Sequence, residues 1–222
     1  MPNWVRNRIE IFAKTNEELN SVLNTVLNEN NKFDFNEIIK RPKELNIEES
    51  SDGTIGLSYV KGTISDFELA RYNQMSDERK AECIKLGQQY LDNYNKYGHY
   101  TWYEWNKENW GTKWNACDSS VYDNVIEFDT AWSAPFPIYE ALSKMFPKVD
   151  FEIMYADEDV GYNVGVIHIE DGEISYNQPE GGSKEALEFS TKYKVWKICM
   201  YGMKIHNQLN MLMSLKMRMR NS

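Results

Sequence analysis

The N-terminal stretch Trp4-Val5-Arg6-Asn7-Arg8-Ile9-Glu10-Ile11-Phe12-Ala13 decides how the fold begins. Odd-numbered residues from Val5 to Ile11 alternate with charged ones, and this period of two predicts a strand with one face in solvent. Thr15 follows, with Glu18 three residues later, which is the spacing of a capping box. Apolar residues then recur at helical intervals, which predicts a helix over 16–29. The chain therefore opens with a βα unit.

A helical block separates this unit from further strands. Ser50-Ser51-Asp52-Gly53 predicts a turn, and residues 65–97 have a helical pattern with Ser76 as a cap for their second half. Residues 121–132 alternate as a strand and could form a hairpin with residues 111–117. The turn of that hairpin is expected at Asp118-Ser119-Ser120. The block at 65–97 is therefore interpreted as an insertion.

The rest of the pattern completes a known order of elements. A helix is expected between Pro135 and Pro147, since proline is tolerated in a first helical turn. Further strands are predicted at 149–156, 162–170 and 174–176. The order βαββαβ indicates an α+β, ferredoxin-like sandwich, in which an antiparallel sheet has its helices on one face. We expect this domain over 1–176, with a helical insertion at about 65–97 and a basic, Met-rich C-terminal extension over 177–222.

Composition and charge narrow the classes of function. The chain has 222 residues and a formal net charge of −9. No apolar run is long enough for a membrane span, the N-terminus lacks the features of a secretory signal, and three scattered cysteines fit a reducing cytoplasm. We therefore expect a cytoplasmic protein without membrane contact, metal or other cofactor.

The C-terminal residues differ in charge from the body of the chain. Residues 192–222 contain seven Lys and Arg and no Asp or Glu, which leaves −16 for residues 1–191. Such a tail could fold back onto the acidic body, attract nucleic acid or dock on an acidic partner. Lys216, Arg218 and Arg220 are the candidate docking residues.

An aromatic run between Tyr97 and Trp114 is the main candidate site. If its second part is extended, Trp110, Thr112 and Trp114 share one face, and the rings could be core. Alternatively they form a stacking platform for a base, or a protein hot spot, with Lys113 near a phosphate. The candidate binding residues are Tyr100, Trp102, Tyr103, Trp105, Asn109, Trp110, Lys113, Trp114 and Asn115.

Four segments together resemble one family. They are residues 1–4 with Asn7, residues 35–39 with Pro42 and Leu45, residues 109–116 (Asn-Trp-Gly-Thr-Lys-Trp-Asn-Ala), and residues 128–133 (Phe-Asp-Thr-Ala-Trp-Ser) with Pro135, Pro137, Leu142, Ser143, Phe146 and Pro147. They are similar to the YubB-like family, ferredoxin-fold proteins of unknown function carried by phages and conjugative plasmids. The resemblance covers about residues 1–170. The chain departs from the family at Val5, where a cysteine is usual, and at Glu158-Asp159-Val160-Gly161, where a Glu-Pro-Gly turn is expected.

The resemblance implies an accessory protein of a mobile element that acts in the cytoplasm of a bacterial host. Our leading hypothesis is a non-catalytic binding protein that inhibits a host defence or nuclease complex. The first alternative is binding of a nucleotide signal or single-stranded nucleic acid through the aromatic run. The second is a metal-dependent hydrolase that uses Asp157, Glu158, Asp159 and His168.

Overall fold

The computed structural model describes residues 2–191, which divide into two compact units. One unit contains the chain up to Ile38 and from Gly111 onward, and the second is Ile39–Trp110. Lys216, Arg218, Arg220 and the rest of the predicted extension from residue 192 lie outside the described residues. None of the helices in the described part is long and apolar enough to cross a membrane.

The first unit is built on a six-stranded antiparallel sheet. Its strands are β1 (Trp4–Phe12), β2 (Cys117–Tyr122), β3 (Val125–Ala131), β4 (Asp150–Asp157), β5 (Val164–Glu170) and β6 (Glu173–Asn177). They lie in the order β2-β3-β1-β4-β5-β6. With helix α1 (Asn16–Val26) after β1 and helix α6 (Phe136–Met145) after β3, this is the predicted ferredoxin-like βαββαβ arrangement. The fold class is confirmed, and β5 and β6 widen the sheet beyond β4.

One face of the sheet forms the core under the helices. Asn7, Ile9 and their register partners on β3 and β4 point to this face. The Tyr139 hydroxyl of α6 donates a hydrogen bond to Asn7 Oδ1 at 2.7 Å, so a fully buried amide is paired. The Phe136 ring, also of α6, meets the Tyr155 ring of β4 edge-on at 5.4 Å. α1 buries Val22 and Val26.

The opposite face of the sheet has ion-paired side chains in one part and apolar packing against a helical segment in another. Arg6 on β1 is bonded to Glu127 at 2.9 Å and lies 3.3 Å from Asp129, both on β3. Further along the sheet, Ala156 and Val164 pack against Ala186. Ala186 belongs to the helical residues 184–191, so part of the expected extension covers the second face of the sheet.

The β2–β3 hairpin at the edge of the sheet has its turn at a different position from the predicted one. The turn lies at Asp123-Asn124, between β2 and β3, and Asp118-Ser119-Ser120 is part of β2. Asp123 has a φ of 48°, a conformation that Asp tolerates better than most residues. The register of β2 on β3 shifts between Cys117 and Ser120, and this bulge gave the sequence its turn-like appearance.

The second unit is helical and larger than the insertion expected at 65–97. Its helices are α2 (Ser51–Val60), α3 (Asp66–Asn73), α4 (Asp77–Tyr97) and α5 (Trp102–Asn109). Ser50 caps α2 by accepting a hydrogen bond from the Gly53 backbone, so the predicted turn is a helix start. Gly56 of α2 and Gly87 of α4 allow their backbones to touch, since a Cβ on Gly56 would lie 1.9 Å from the Cys83 carbonyl oxygen. Gly53, whose added Cβ would lie 2.5 Å from the Tyr90 ring, and Gly56 both lower the helix propensity of α2, which concealed this helix in the sequence.

Candidate functional site

The aromatic run is divided between the two units after Trp110. Its first half is helix α5, which Thr101 caps by accepting a hydrogen bond from the Tyr103 backbone. The extended geometry expected for Trp110 and Thr112 is wrong, because Trp110 is the C-cap residue of α5. Gly111 follows with a φ of 75°. The run therefore does not form a continuous strand.

Two of the candidate rings are core residues of the helical unit. Trp105 and Trp110 are 7% and 1% exposed, and their rings meet edge-on at 5.5 Å. Trp110 Nε1 donates to the Ile39 carbonyl at 2.8 Å, and the Arg41 guanidinium lies 5.2 Å from the ring centroid. Rings packed in this way have no free face for a base. The core alternative therefore describes Trp105 and Trp110.

The other candidates of this unit have local partners. Tyr100 stacks on Tyr94 at 4.7 Å, and Trp102 meets Tyr103 edge-on at 5.8 Å. Asn109 Nδ2 donates to the Trp105 carbonyl at 3.0 Å, which is a bond within α5. These rings are half-buried, so some aromatic surface remains accessible.

The second half of the run ties loops of the ferredoxin-like unit together. The buried Thr112 hydroxyl donates to the Ala131 carbonyl at 2.7 Å, and the Ser133 hydroxyl donates to the Gly111 carbonyl. Two of the segments that carry the family resemblance are therefore bonded to each other. Trp114 packs on Trp4 at 5.9 Å, and Lys113 Nζ lies 4.6 Å from the Trp114 ring centroid.

Asn115 has a structural role in the loop that contains Asp34. Its side chain accepts from the Phe35 backbone at 2.8 Å and donates to Asp34 Oδ1 at 2.7 Å. Desolvation alone would raise the pKa of Asp34. Hydrogen bonds from Asn115, the Asn36 backbone and Asn28 outweigh it and hold that pKa below its ordinary value.

An exposed tryptophan that the sequence did not single out lies at one end of the sheet. Trp132 is 55% exposed and has a φ of 72°, rare for a bulky residue. Its backbone N–H donates to the Asn3 carbonyl at 2.9 Å, and its carbonyl accepts from Asn163 Nδ2 at 3.2 Å. Trp132 shares the parity of the buried residues Phe128 and Thr130, so alternation alone does not mark it as exposed. The signal for a turn was Ser133-Ala134-Pro135, which follows at once.

A second exposed ring, Tyr162, belongs to the loop between β4 and β5 at the same end. It is 51% exposed. One side of the ring lies against Gly181, where an added Cβ would come within 2.8 Å of Tyr162 Cδ1. The loop is braced by a hydrogen bond from the Gly161 backbone to Ser190 Oγ at 3.0 Å. We call Trp132 and Tyr162 together the aromatic end.

The residues of the hydrolase alternative are not brought together. Asp157 is buried and accepts hydrogen bonds from the Asp159 backbone and from Asn163. His168 pairs with Glu152 in the register of β4 and β5. Asp157 lies at the opposite end of these two strands, one residue beyond the pair Ala156–Val164. Within residues 2–191, no group of three or more His, Cys, Asp and Glu is placed to hold a metal ion.

Comparison with known proteins gives a family match over part of the chain. Residues 109–197 match the family described as the ferredoxin-like domain in Api92-like protein. The description names a fold and no activity, and together with the strand order it establishes the ferredoxin-like fold. The chain is thus similar to a ferredoxin-like family of unknown function.

Two further comparisons add little. The crystal structure of a protein api92 from Yersinia pseudotuberculosis superposes with a TM-score of 0.43 at 12% identity, over 81% of this chain and 99% of that chain. No curated protein matches the sequence.

Proposed function

We propose that this chain is a non-catalytic binding protein whose acidic ferredoxin-like unit occupies a basic surface of another protein. The observation that carries the proposal is the charge of the described residues of that unit. Residues 2–38 and 111–191 contain 22 Asp and Glu against eight Lys and Arg. A surface of one sign attracts partners of the opposite sign and speeds their encounter.

Much of this charge is at the surface. Among residues 2–38 and 111–191, fourteen carboxylates but only five lysines are exposed. The carboxylates are Glu17, Glu29, Glu37, Asp118, Asp123, Glu140, Glu158, Asp159, Glu170, Asp171, Glu173, Glu180, Glu185 and Glu188. The two arginines of the unit, Arg6 and Arg8, are each 7% exposed and ion-paired, so they offset little of the surface charge.

This charge favours a protein partner over nucleic acid. Proteins bind nucleic acid by neutralising phosphates with Lys and Arg, and in residues 2–38 and 111–191 exposed carboxylates outnumber exposed lysines fourteen to five. A basic groove that binds nucleic acid in another protein has the complementary charge. Capture of a nucleotide or single strand by the aromatic run has less support, because Trp105 and Trp110 are buried.

The resemblance to phage and plasmid proteins supplies the biological setting of the proposal. In that setting the partner is a host defence or nuclease complex in the bacterial cytoplasm. An acidic protein that fills the groove of such a complex inhibits it by competition, without chemistry of its own.

The test is recovery of the affinity-tagged full chain from bacterial cells, followed by native mass spectrometry. We expect a co-purifying protein with a basic surface, released by raising the salt concentration because the contact is electrostatic. Replacing Glu158, Asp159 and Glu180 by their amides should weaken the complex more than the same change at Glu78, Glu82 and Asp92 of α4. A bound nucleotide or nucleic acid with no protein partner would contradict the proposal.

A further inference from the structure

The aromatic end has the features of a prepared contact surface. Trp132 and Tyr162 are each about half exposed although they are large and aromatic. Trp and Tyr are the residues most enriched at binding hot spots, together with Arg. These two rings at one end of the sheet are therefore a candidate contact surface.

Contacts within the protein fix the Trp132 backbone and one side of the Tyr162 ring. The backbone of Trp132 is bonded on both sides, to Asn3 and to Asn163. Tyr162 rests against the Gly181–Gly182 segment, which is bonded back to the loop through the Gly182 N–H and the Gly161 carbonyl at 2.8 Å. Rigid aromatic side chains lose little conformational freedom on binding, so their contacts are not offset by an ordering cost.

The surroundings of the rings specify the charge of the occupant. Glu158 and Asp159 are exposed in the loop that contains Tyr162, and Glu180 is exposed beside the Gly181–Gly182 segment. Residues 157–163, which end β4 and form the loop to β5, contain three carboxylates and no Lys or Arg. An aromatic face flanked by carboxylates suits a cation that is also planar, which describes the guanidinium of arginine better than the ammonium of lysine.

We propose that the aromatic end, Trp132 with Tyr162, receives an arginine-bearing segment of the partner protein. This inference rests on the proposed function, because it names the part of the acidic unit that meets the basic partner. Arginine stacks on the exposed ring faces while the neighbouring carboxylates supply the opposite charge.

The experiment measures binding of a short polyarginine peptide to the full chain by isothermal titration calorimetry. A polylysine peptide of equal length is the control for charge alone. The variants are Trp132→Ala and Tyr162→Ala, with Phe12→Ala as matched control. Phe12 is a 48% exposed ring at the opposite end of β1. Thermal unfolding of each variant establishes that it is folded, and Trp132→Phe, which keeps a ring, should rescue binding.

We expect polyarginine to bind more tightly than polylysine, and each ring variant to weaken it roughly five- to tenfold. Phe12→Ala should leave the affinity unchanged. Equal affinity for the two peptides, or equal loss in all three variants, would overturn the inference. The proposed function would then stand or fall on its own capture experiment, since a basic partner could bind elsewhere on the acidic unit.

Discussion

At single positions, backbone conformation and close contact explain residues that composition alone does not. Gly111 has a φ of 75°, and an added Cβ would lie 2.6 Å from Pro137 Cδ. The glycine in the Asn-Trp-Gly-Thr-Lys-Trp-Asn-Ala run is therefore required by its positive φ and by the space beside Pro137. It follows directly after Trp110, the C-cap residue of α5. This part of the resemblance reflects a structural requirement.

Gly111→Ala should lower the free energy of unfolding by about 2–4 kcal/mol, through backbone strain and a clash with a rigid proline ring. Gly62→Ala is the control, because Gly62 has a φ of 68° but nothing within 4 Å of its added Cβ. We expect that variant to lose only about 1 kcal/mol. Chemical denaturation of both variants measures the difference. An equal decrease in the free energy of unfolding for both variants would mean that the contact with Pro137 does not affect stability.

Trp132 is a case in which binding and stability should separate. Its positive φ strains any residue with a Cβ, and strain of this kind costs about 1–3 kcal/mol. Trp132→Gly should therefore be more stable than Trp132→Ala by about 1 kcal/mol. Both variants should lose binding at the aromatic end. Thermal and chemical unfolding compare their stabilities, and a glycine variant less stable than the alanine variant would contradict the strained backbone.

Between elements, polar side chains fix loops that the hydrophobic pattern leaves undetermined. Asp34 caps the short 3₁₀ helix Phe35–Glu37 and is bonded to Asn115, 81 residues later. No local sequence pattern predicts a hydrogen bond between Asp34 and Asn115. From the sequence, Asn115 is a candidate binding residue, whereas in the structure its bonds to Phe35 and Asp34 hold the loop.

The Asp34 contacts predict a specific dependence of stability on pH. The folded-state pKa is below the ordinary value, so the unfolded chain takes up the proton first as the pH falls. The stabilisation is therefore fully present above the ordinary pKa of about 4 and is lost as the pH falls through the folded-state pKa. Asp34→Asn should flatten this part of the stability profile.

Chemical denaturation from pH 7 down to pH 3 measures that profile. Asp123→Asn, a change at an exposed turn carboxylate, is the control and should leave the profile nearly as in the wild type. A profile of Asp34→Asn as steep as that of the wild type would contradict the assigned role of Asp34.

In the molecule as a whole, the fold was predictable where periodicity was strong. The alternation in β1 and the capping-box spacing of Thr15 and Glu18 predicted the first βα unit, and β4 to β6 lie within two residues of the strands expected at 149–156, 162–170 and 174–176. Local breaks were misleading elsewhere. Helix α2 contains two glycines required for packing, and β2 contains a bulge, so both resembled turns.

The candidate site was less predictable, because exposure is not a local property of sequence. Trp105 and Trp110 lie in the densest aromatic segment and are core, while Trp132 and Tyr162 stand nearly alone and are exposed. Ring density predicts aromatic packing, but whether a ring faces solvent depends on where the strand ends. At Trp132 that end is set by hydrogen bonds to Asn3 and Asn163, far away in the sequence.

The central claim is that the acidic ferredoxin-like unit takes the place of nucleic acid on a basic protein surface. The most direct measurement is competition, in which the complex recovered with the tagged full chain is titrated with double-stranded DNA and the released protein is quantified. The account predicts that DNA displaces the protein at low salt, and that raised salt releases it without DNA, because the contact is electrostatic. A complex that DNA and salt leave intact would contradict it.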